Sequence, residues 1–197
     1  MFTGIIECLG TVKGVESEGS NKRFIISAPF VSSLKVDQSV SHNGVCLTVE
    51  EILEEGTLYR ITAIQETLRV SDVGLWDVGT RVNLERCMPA SGRFDGHIVQ
   101  GHVDTVGVVL SVKPCDGSYE ITISYDSESG LVVSKGSISV QGVSLTVAGV
   151  GEGWFKVAII PYTWEHTNFK GLLEGDSVNI EFDVIGKYIQ AMMARQA

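Results

Sequence analysis

The sequence predicts an all-β fold of two homologous halves, each a small closed or Greek-key barrel of about six short strands, ending in a short helix. Three observations carry this prediction. They are a long internal repeat, short β-branched runs between turn formers, and a helical periodicity confined to the tail.

The repeat has three blocks. Residues 39–52, SVSHNGVCLTVEEI, return at 137–150 as SISVQGVSLTVAGV, with G-V-x-L-T-V in common. Residues 64–85 return at 160–181, and residues 4–12 return more weakly at 101–109. The separations are 98, 96 and 97 residues, in one order, which chance does not produce. With 197 residues and 44% hydrophobic content the chain is long enough for two small cores. The predicted division is 1–96, 97–183 and a tail 184–197, with the linker-like SGRFDG near the join at 90–96.

Within each half the runs at 24–26, 47–49, 58–64 and 82–84 match those at 121–123, 145–147, 155–160 and 178–180. All are rich in Val, Ile and Thr and bounded by Gly, Asp, Ser or Asn, which is the mark of strands. Leu75 or Trp76 before Asp77-Val78-Gly79, and Leu172-Leu173 before Glu174-Gly175, predict brief helices. In the tail, Ile185, Ile189, Met192 and Met193 fall at i, i+4, i+7 and i+8, one face of a helix. No later residues cover that face, so it is expected to pack on the barrels or on other subunits.

Fifteen basic and 24 acidic residues leave a net charge of -9, which argues against binding a nucleic-acid backbone. No run of 18 apolar residues predicts a membrane span, and the opening MFTGIIECLGTVKG lacks the pattern of a signal peptide. Cys8, Cys46, Cys87 and Cys115 form no C-x-x-C pair, so free thiols in a cytoplasmic chain are expected rather than a zinc or dithiol centre. Walker, G-x-G-x-x-G, G-x-S-x-G and H-E-x-x-H motifs do not occur, and no cofactor or metal is expected.

The chemistry-bearing residues stand where the copies differ. Cys46 is replaced by Ser144, His42 by Val140 and Glu66 by Tyr162, while Ile5 is replaced by His102. Two like pockets with unlike polar groups would let two similar molecules take different roles. Strand alternation puts Val45 and Leu47 on one face and Cys46 and Thr48 on the other. A small buried thiol is the plainer reading of Cys46. His97 and His102, at i, i+5, fall on opposite faces of a regular strand, which disfavours a shared metal, and Gly96 and Gly101 beside them allow a bend or a close approach. Ser41, Ser144, Thr48, Thr146, Thr67 and Thr163 are ambiguous one by one. Asp183 is either solvated or a helix cap, and Lys135 before Gly136 reads as a turn.

The opening Met1-Phe2-Thr3-Gly4-Ile5-Ile6-Glu7 resembles the N-terminal signature of the riboflavin synthases. So do HNGVCLTV from His42, Glu66-Thr67-Leu68, Gly96-His97, Gly101-His102-Val103-Asp104 and GVSLTV from Gly142. The resemblance spans the chain and implies two six-stranded Greek-key barrels in tandem, with a C-terminal helix that assembles a homotrimer. It implies a site between barrels of neighbouring subunits that takes two molecules of 6,7-dimethyl-8-ribityllumazine. One passes a four-carbon unit to the other, giving riboflavin and 5-amino-6-ribitylamino-2,4-pyrimidinedione, without a cofactor. Lumazine synthase is a candidate partner.

By motif, the resemblance puts Gly4, Ile5, Ile6, Cys46, Leu47, Thr48, Thr62, Ala63, Ile64, Gln65, Glu66 and Thr67 against ligand. It does the same for Gly101, His102, Val103, Lys135, Ser144, Leu145, Thr146, Ile160, Pro161, Tyr162, Thr163, Trp164 and Glu165. His102 is the first candidate for proton transfer. Cys46 and Ser41 are candidates for nucleophile or positioning, and Ser144, Thr146 and Asp183 for orienting the second lumazine. Bulky Tyr162 and Trp164 depart from the family pattern. A non-catalytic lumazine or flavin carrier of the same superfamily is the alternative, and the retained polar residues disfavour it. A flavin-dependent reductase would need a nicotinamide domain for which no residues remain.

Overall fold

The structure, a computed structural model, describes residues 1–195. In the first half, β1 (Cys8–Glu18), β2 (Asn21–Ser27), β3 (Ser39–His42), β4 (Val45–Thr48), β5 (Glu51–Leu53), β6 (Leu58–Ala63) and β7 (Arg81–Arg86) pair in the order β4-β3-β7-β1-β2-β6-β5. In the second half, β8 (Thr105–Cys115), β9 (Ser118–Ser124), β10 (Ser137–Val140), β11 (Val143–Gly151), β12 (Trp154–Ile159) and β13 (Ser177–Phe182) close a six-stranded barrel.

The extra strand of the first half arises because one strand is cut in two, into β4 and β5. β11 reaches both of its neighbours by a bulge between Val147 and Gly149, whereas the matching stretch breaks at Val49–Glu50 into β4 and β5. The N–H of Glu50 still bonds to the Arg60 carbonyl at 2.9 Å. A strand that turns the corner of so small a barrel must bend sharply, and a bulge or a break supplies the bend.

Each barrel has its own core. Val12, Phe24, Ile26, Tyr59, Ile61 and Leu84 fill the first, and Val109, Ile121, Ile123, Phe155, Val157 and Ile180 fill the second. In β6 every second residue is buried and in β2 Phe24 and Ile26 are, as the alternation predicts. β7 and β13 instead bury runs of residues, because their second face meets the other barrel. Val82 and Leu84 fill the core between Asn83 and Glu85, as Val178 and Ile180 do between Asn179 and Glu181.

The barrels meet about a pseudo-dyad of paired amides. Asn83 donates from Nδ2 to the Gln141 carbonyl at 2.9 Å, and Asn179 donates to the Asn43 carbonyl at the same distance. Asn83 Oδ1 accepts from the Asn168 N–H and Asn179 Oδ1 from the Asp72 N–H, at 2.8 and 2.7 Å. On the dyad, Gly44 and Gly142 bring the two β-turns into backbone contact, each at positive φ. A Cβ on Gly142 would lie 2.6 Å from the Gly44 nitrogen. Gly142→Ala is therefore expected to cost about 2 kcal/mol from backbone strain plus overpacking. Gly79→Ala, at φ +97 with open space around its Cβ, should cost only the backbone part. Urea denaturation of both variants measures the difference.

Helical turns differ from expectation. Full turns form one step earlier than predicted, as α1 (Gln65–Val70) and α2 (Pro161–His166), followed by 3₁₀ turns at Asp72–Leu75 and Asn168–Gly171. Pro161 at the first turn of α2 and the Glu66–Arg69 pair on α1 favour them. Residues 89–96 are exposed, in keeping with a linker. The tail forms α3 (Val184–Ala194), capped by Asp183 Oδ1, which accepts the Ile185 N–H at 3.0 Å. Residues 196 and 197 of the predicted tail lie outside the described residues. Among the described residues no helix is long and apolar enough to cross a membrane, and no cluster of side chains could hold a metal.

Candidate active site

Two chain segments, one from each half, run antiparallel between the barrels. The Phe2 N–H bonds to the Val99 carbonyl at 2.8 Å, Val99 returns the bond at 3.1 Å, and the His97 N–H reaches Thr3 O at 3.1 Å. Beyond this pair each segment crosses to the opposite barrel. Gly4 O accepts the Ser144 N–H at 2.7 Å, and Gly101 O accepts the Cys46 N–H at 2.9 Å. Ile6 packs on the core of the second barrel and Val103 on that of the first.

Two half-sites result. Cys46 and Thr48 on β4 stand beside Gly101 and His102. Ser144 and Thr146 on β11 stand beside Gly4 and Ile5. On β4, Val45 and Leu47 point into the core, leaving Cys46 and Thr48 outward. Apolar side chains stand open near these strands, with Ile5 47%, Ile64 56%, Ile160 59% and Tyr162 69% exposed. Exposed apolar groups beside convergent polar ones suit an aromatic ligand with a polar chain.

The polar groups differ between the halves. His97 Nδ1 lies 2.6 Å from Ser144 Oγ. Burial pushes the His97 imidazole below its ordinary value, with the Asp183 carboxylate opposing, so the ring is neutral at pH 7. With the ring proton on Nε2, Nδ1 accepts the Ser144 hydroxyl proton, which makes a base–hydroxyl pair. In the other half-site burial pushes the Cys46 thiol upward, partly offset by a hydrogen bond with Ser39. A thiol so shifted is protonated near neutrality and is a poor nucleophile.

The lumazine binding domain family matches residues 3–87 and 100–183, one copy on each barrel. Riboflavin synthase of Mycobacterium tuberculosis H37Rv is 41% identical over 198 residues, covering 98% of both chains. The chain belongs to the riboflavin synthase family. Other members of this family, from Actinobacillus pleuropneumoniae and Bacillus subtilis 168, are each 36% identical, covering 100% and 96% of this chain and 91% and 88% of theirs. LumP complexed with 6,7-dimethyl-8-(1'-D-ribityl) lumazine has the same fold, with a TM-score of 0.84 at 22% identity over 92% of this chain and 99% of that one.

The structure sorts the family-motif residues. His102 has an exposed ring, while its N–H is held by Glu181 at 2.9 Å. Thr48, Thr146, Gln65 and Lys135 are exposed, and Thr62, Thr67, Thr163 and Leu145 half-buried. Leu47, Ala63 and Trp164 belong to the cores, and Trp164 stacks on Tyr119 at 3.8 Å. The bulk of Trp164 is therefore taken up by packing in the core of the second half. Glu66 and Glu165 are ion-paired to Arg69 and Lys170. Pro161 starts α2, and Thr62 Oγ1 donates to Glu50. Ser41 is only 1% exposed, paired across the sheet with Cys46 and Glu85, so it supports the half-site from beneath.

The His42-for-Val140 difference is corrected by burial. His42 is fully enclosed, bonded to the Val40 carbonyl and the Tyr59 hydroxyl, and faces no ligand. The regular-strand spacing assumed for His97 and His102 fails, because this segment has a single β-bridge at Val99. The sequence gives His97 no partner, only Gly96 beside it and a place in a family motif. Its contact with Ser144 is set by the crossed segments and joins residues 47 apart.

Proposed function

We propose that the protein is a riboflavin synthase. It moves a four-carbon unit from one 6,7-dimethyl-8-ribityllumazine to a second, giving riboflavin and 5-amino-6-ribitylamino-2,4-pyrimidinedione. The observation that carries this reading is the pair of half-sites built from equivalent strands and crossed segments but furnished with unlike polar groups. Ser144 and His97 hold a proton-accepting hydroxyl pair on one side, and Cys46, Thr48 and the open His102 furnish the other. A dismutation between two identical molecules needs that inequality and no external oxidant or reductant. The threonines and exposed main chain suit the ribityl hydroxyls, and the open isoleucines suit the ring faces. Asp183 acts on the His97 ring through its charge. Dialysed, chelator-treated protein given the lumazine alone is expected to form one riboflavin for every two lumazines consumed, read by absorbance and fluorescence. Retention of unchanged lumazine would mark a carrier instead, and dependence on a metal or a nicotinamide would overturn the reaction.

The proposal extends to a homotrimer with the full site formed between a first barrel and a neighbour's second barrel. Ile185, Tyr188, Ile189, Met192 and Met193 leave α3 with a broad apolar surface, each more than half exposed. An 11-residue helix holds poorly without tertiary cover. Removal of residues from Gly186 onward is expected to lower the sedimentation coefficient and turnover together. A truncated monomer with full turnover would refute the interchain site. The cytoplasmic assignment rests on Cys8, Cys46, Cys87 and Cys115, all free thiols.

A further inference from the structure

Two buried carboxylates recur at the same place in the halves and bond to neither core. Glu85 on β7 is 4% exposed and Glu181 on β13 is 2% exposed. Glu85 accepts the Thr3 N–H at 2.6 Å, the Thr3 hydroxyl at 2.7 Å and the Gly4 N–H at 2.9 Å. Glu181 accepts the N–H groups of Gln100, Gly101 and His102 at 2.6, 2.9 and 2.9 Å. Each carboxylate therefore gathers three converging donors of an irregular segment that would otherwise be poorly satisfied in the barrel interface.

The segments do not serve the barrel that holds them. Glu85 belongs to the first barrel, yet the segment it grips gives Gly4 O to the Ser144 N–H of the second. Glu181 belongs to the second barrel, yet its segment gives Gly101 O to the Cys46 N–H of the first. The fit leaves no slack, since a Cβ on Gly4 would meet Ser144 Cβ at 2.6 Å and one on Gly101 would meet Cys46 Cβ at 2.6 Å.

We propose that Glu85 and Glu181 are crossed positioning residues, each fixing from its own barrel the rim of the half-site on the other. Glu181 sets the height of Gly101 and His102 over Cys46 and Thr48. Glu85 sets Gly4 and Ile5 over Ser144 and Thr146. Only a carboxylate suits the role, because an amide offers one oxygen and turns an NH₂ toward donors. The part of this inference that concerns lumazine rests on the proposed synthase reading, whereas the crossed linkage rests on the hydrogen bonds alone.

Glu181→Gln and Glu85→Gln test it through hydrogen exchange of two amides. Glu181→Gln is expected to raise Cys46 N–H exchange about 10-fold or more and leave the Ser144 N–H as in the wild type. Glu85→Gln is expected to do the reverse. Glu181→Asp and Thr3→Val, which shorten or remove one contact, should give the same sidedness at smaller amplitude and serve if a glutamine variant fails to fold. In lumazine titrations Glu181→Gln should be non-additive with Thr48→Val and additive with Thr146→Val, and Glu85→Gln the opposite. Equal loss of protection at both amides, or loss confined to the carboxylate's own barrel, overturns the crossed arrangement. Sided exchange in the variants, with a wild type that binds no lumazine, would uphold the crossed arrangement and overturn the synthase reading instead.

Discussion

Ser144→Ala and His97→Gln are each expected to lower turnover about 10²-fold or more, with lumazine affinity held within about 3-fold. The two side chains form one unit at 2.6 Å, so the double variant should be no slower than the worse single one. The pH profile carries the same signature. The imidazole must be neutral to take the hydroxyl proton, and burial holds its pKa below the ordinary value. Wild-type turnover should therefore be level at neutral pH and fall on the acid side, beneath the titration of a free imidazole. That acid limb should vanish from the residual activity of His97→Gln. Cys46→Ser is expected to change turnover less than about 5-fold, because burial keeps the thiol protonated. His102→Gln separates the two histidines, for His102 is exposed and the Ser144 contact belongs to His97, so the acid limb should persist in that variant. Normal turnover in Ser144→Ala would sink the pair and return the chemistry to Cys46, His102 or bound water.

The repeat made the architecture legible, because strand alternation and three blocks at one spacing leave few folds other than tandem barrels. The same repeat concealed half of the site. Attention to the positions where the copies differ finds Cys46 against Ser144 and Ile5 against His102, but it also finds His42, whose difference from Val140 is settled inside the core. The joining residues are those where the copies agree. Asn83 and Asn179, and Glu85 and Glu181, are polar at positions a two-sided strand should fill with apolar groups, and Gly44 and Gly142 are bare in the turns that meet. V-N-L-E and V-N-I-E were readable as strands with one face in a core and one against a polar partner. Period alone does not say that the partner is the other half of the chain, nor that the segments at Gly4 and Gly101 exchange barrels. His97 was illegible for that reason, since its partner is fixed by the crossing.

The stability of the wild type relative to His42→Gln is expected to fall by about 3 kcal/mol between pH 7 and pH 4. Burial lowers the His42 imidazole from 6.5 to about 4. The Val40 carbonyl can only accept, so the ring proton is on Nδ1, and Nε2 accepts the Tyr59 hydroxyl proton at 2.8 Å. This neutral form fits the core and the cation does not. A depressed folded pKa contributes stability that is fully present above the unfolded value and is lost as pH falls through the folded one. Each pH unit of displacement is worth about 1.4 kcal/mol, which gives the size of the effect. Tyr59 and Cys8, the titratable groups nearby, are pushed up by burial and stay neutral throughout this window. Asp72, Glu85 and Glu181 act in the opposite sense. Burial raises their carboxyls, so their contribution is fully present below the ordinary carboxylate range and is lost as pH rises through their folded values. They are common to both proteins and cancel in the comparison. At neutral pH the variant should be about 1–3 kcal/mol less stable, from the hydrogen bonds it loses. By pH 4 it should equal or exceed the wild type in urea melts. A stability gap that stays constant from pH 7 to pH 4 would mean that His42 takes up its proton as readily folded as unfolded, and that Tyr59 and Val40 do not hold it neutral.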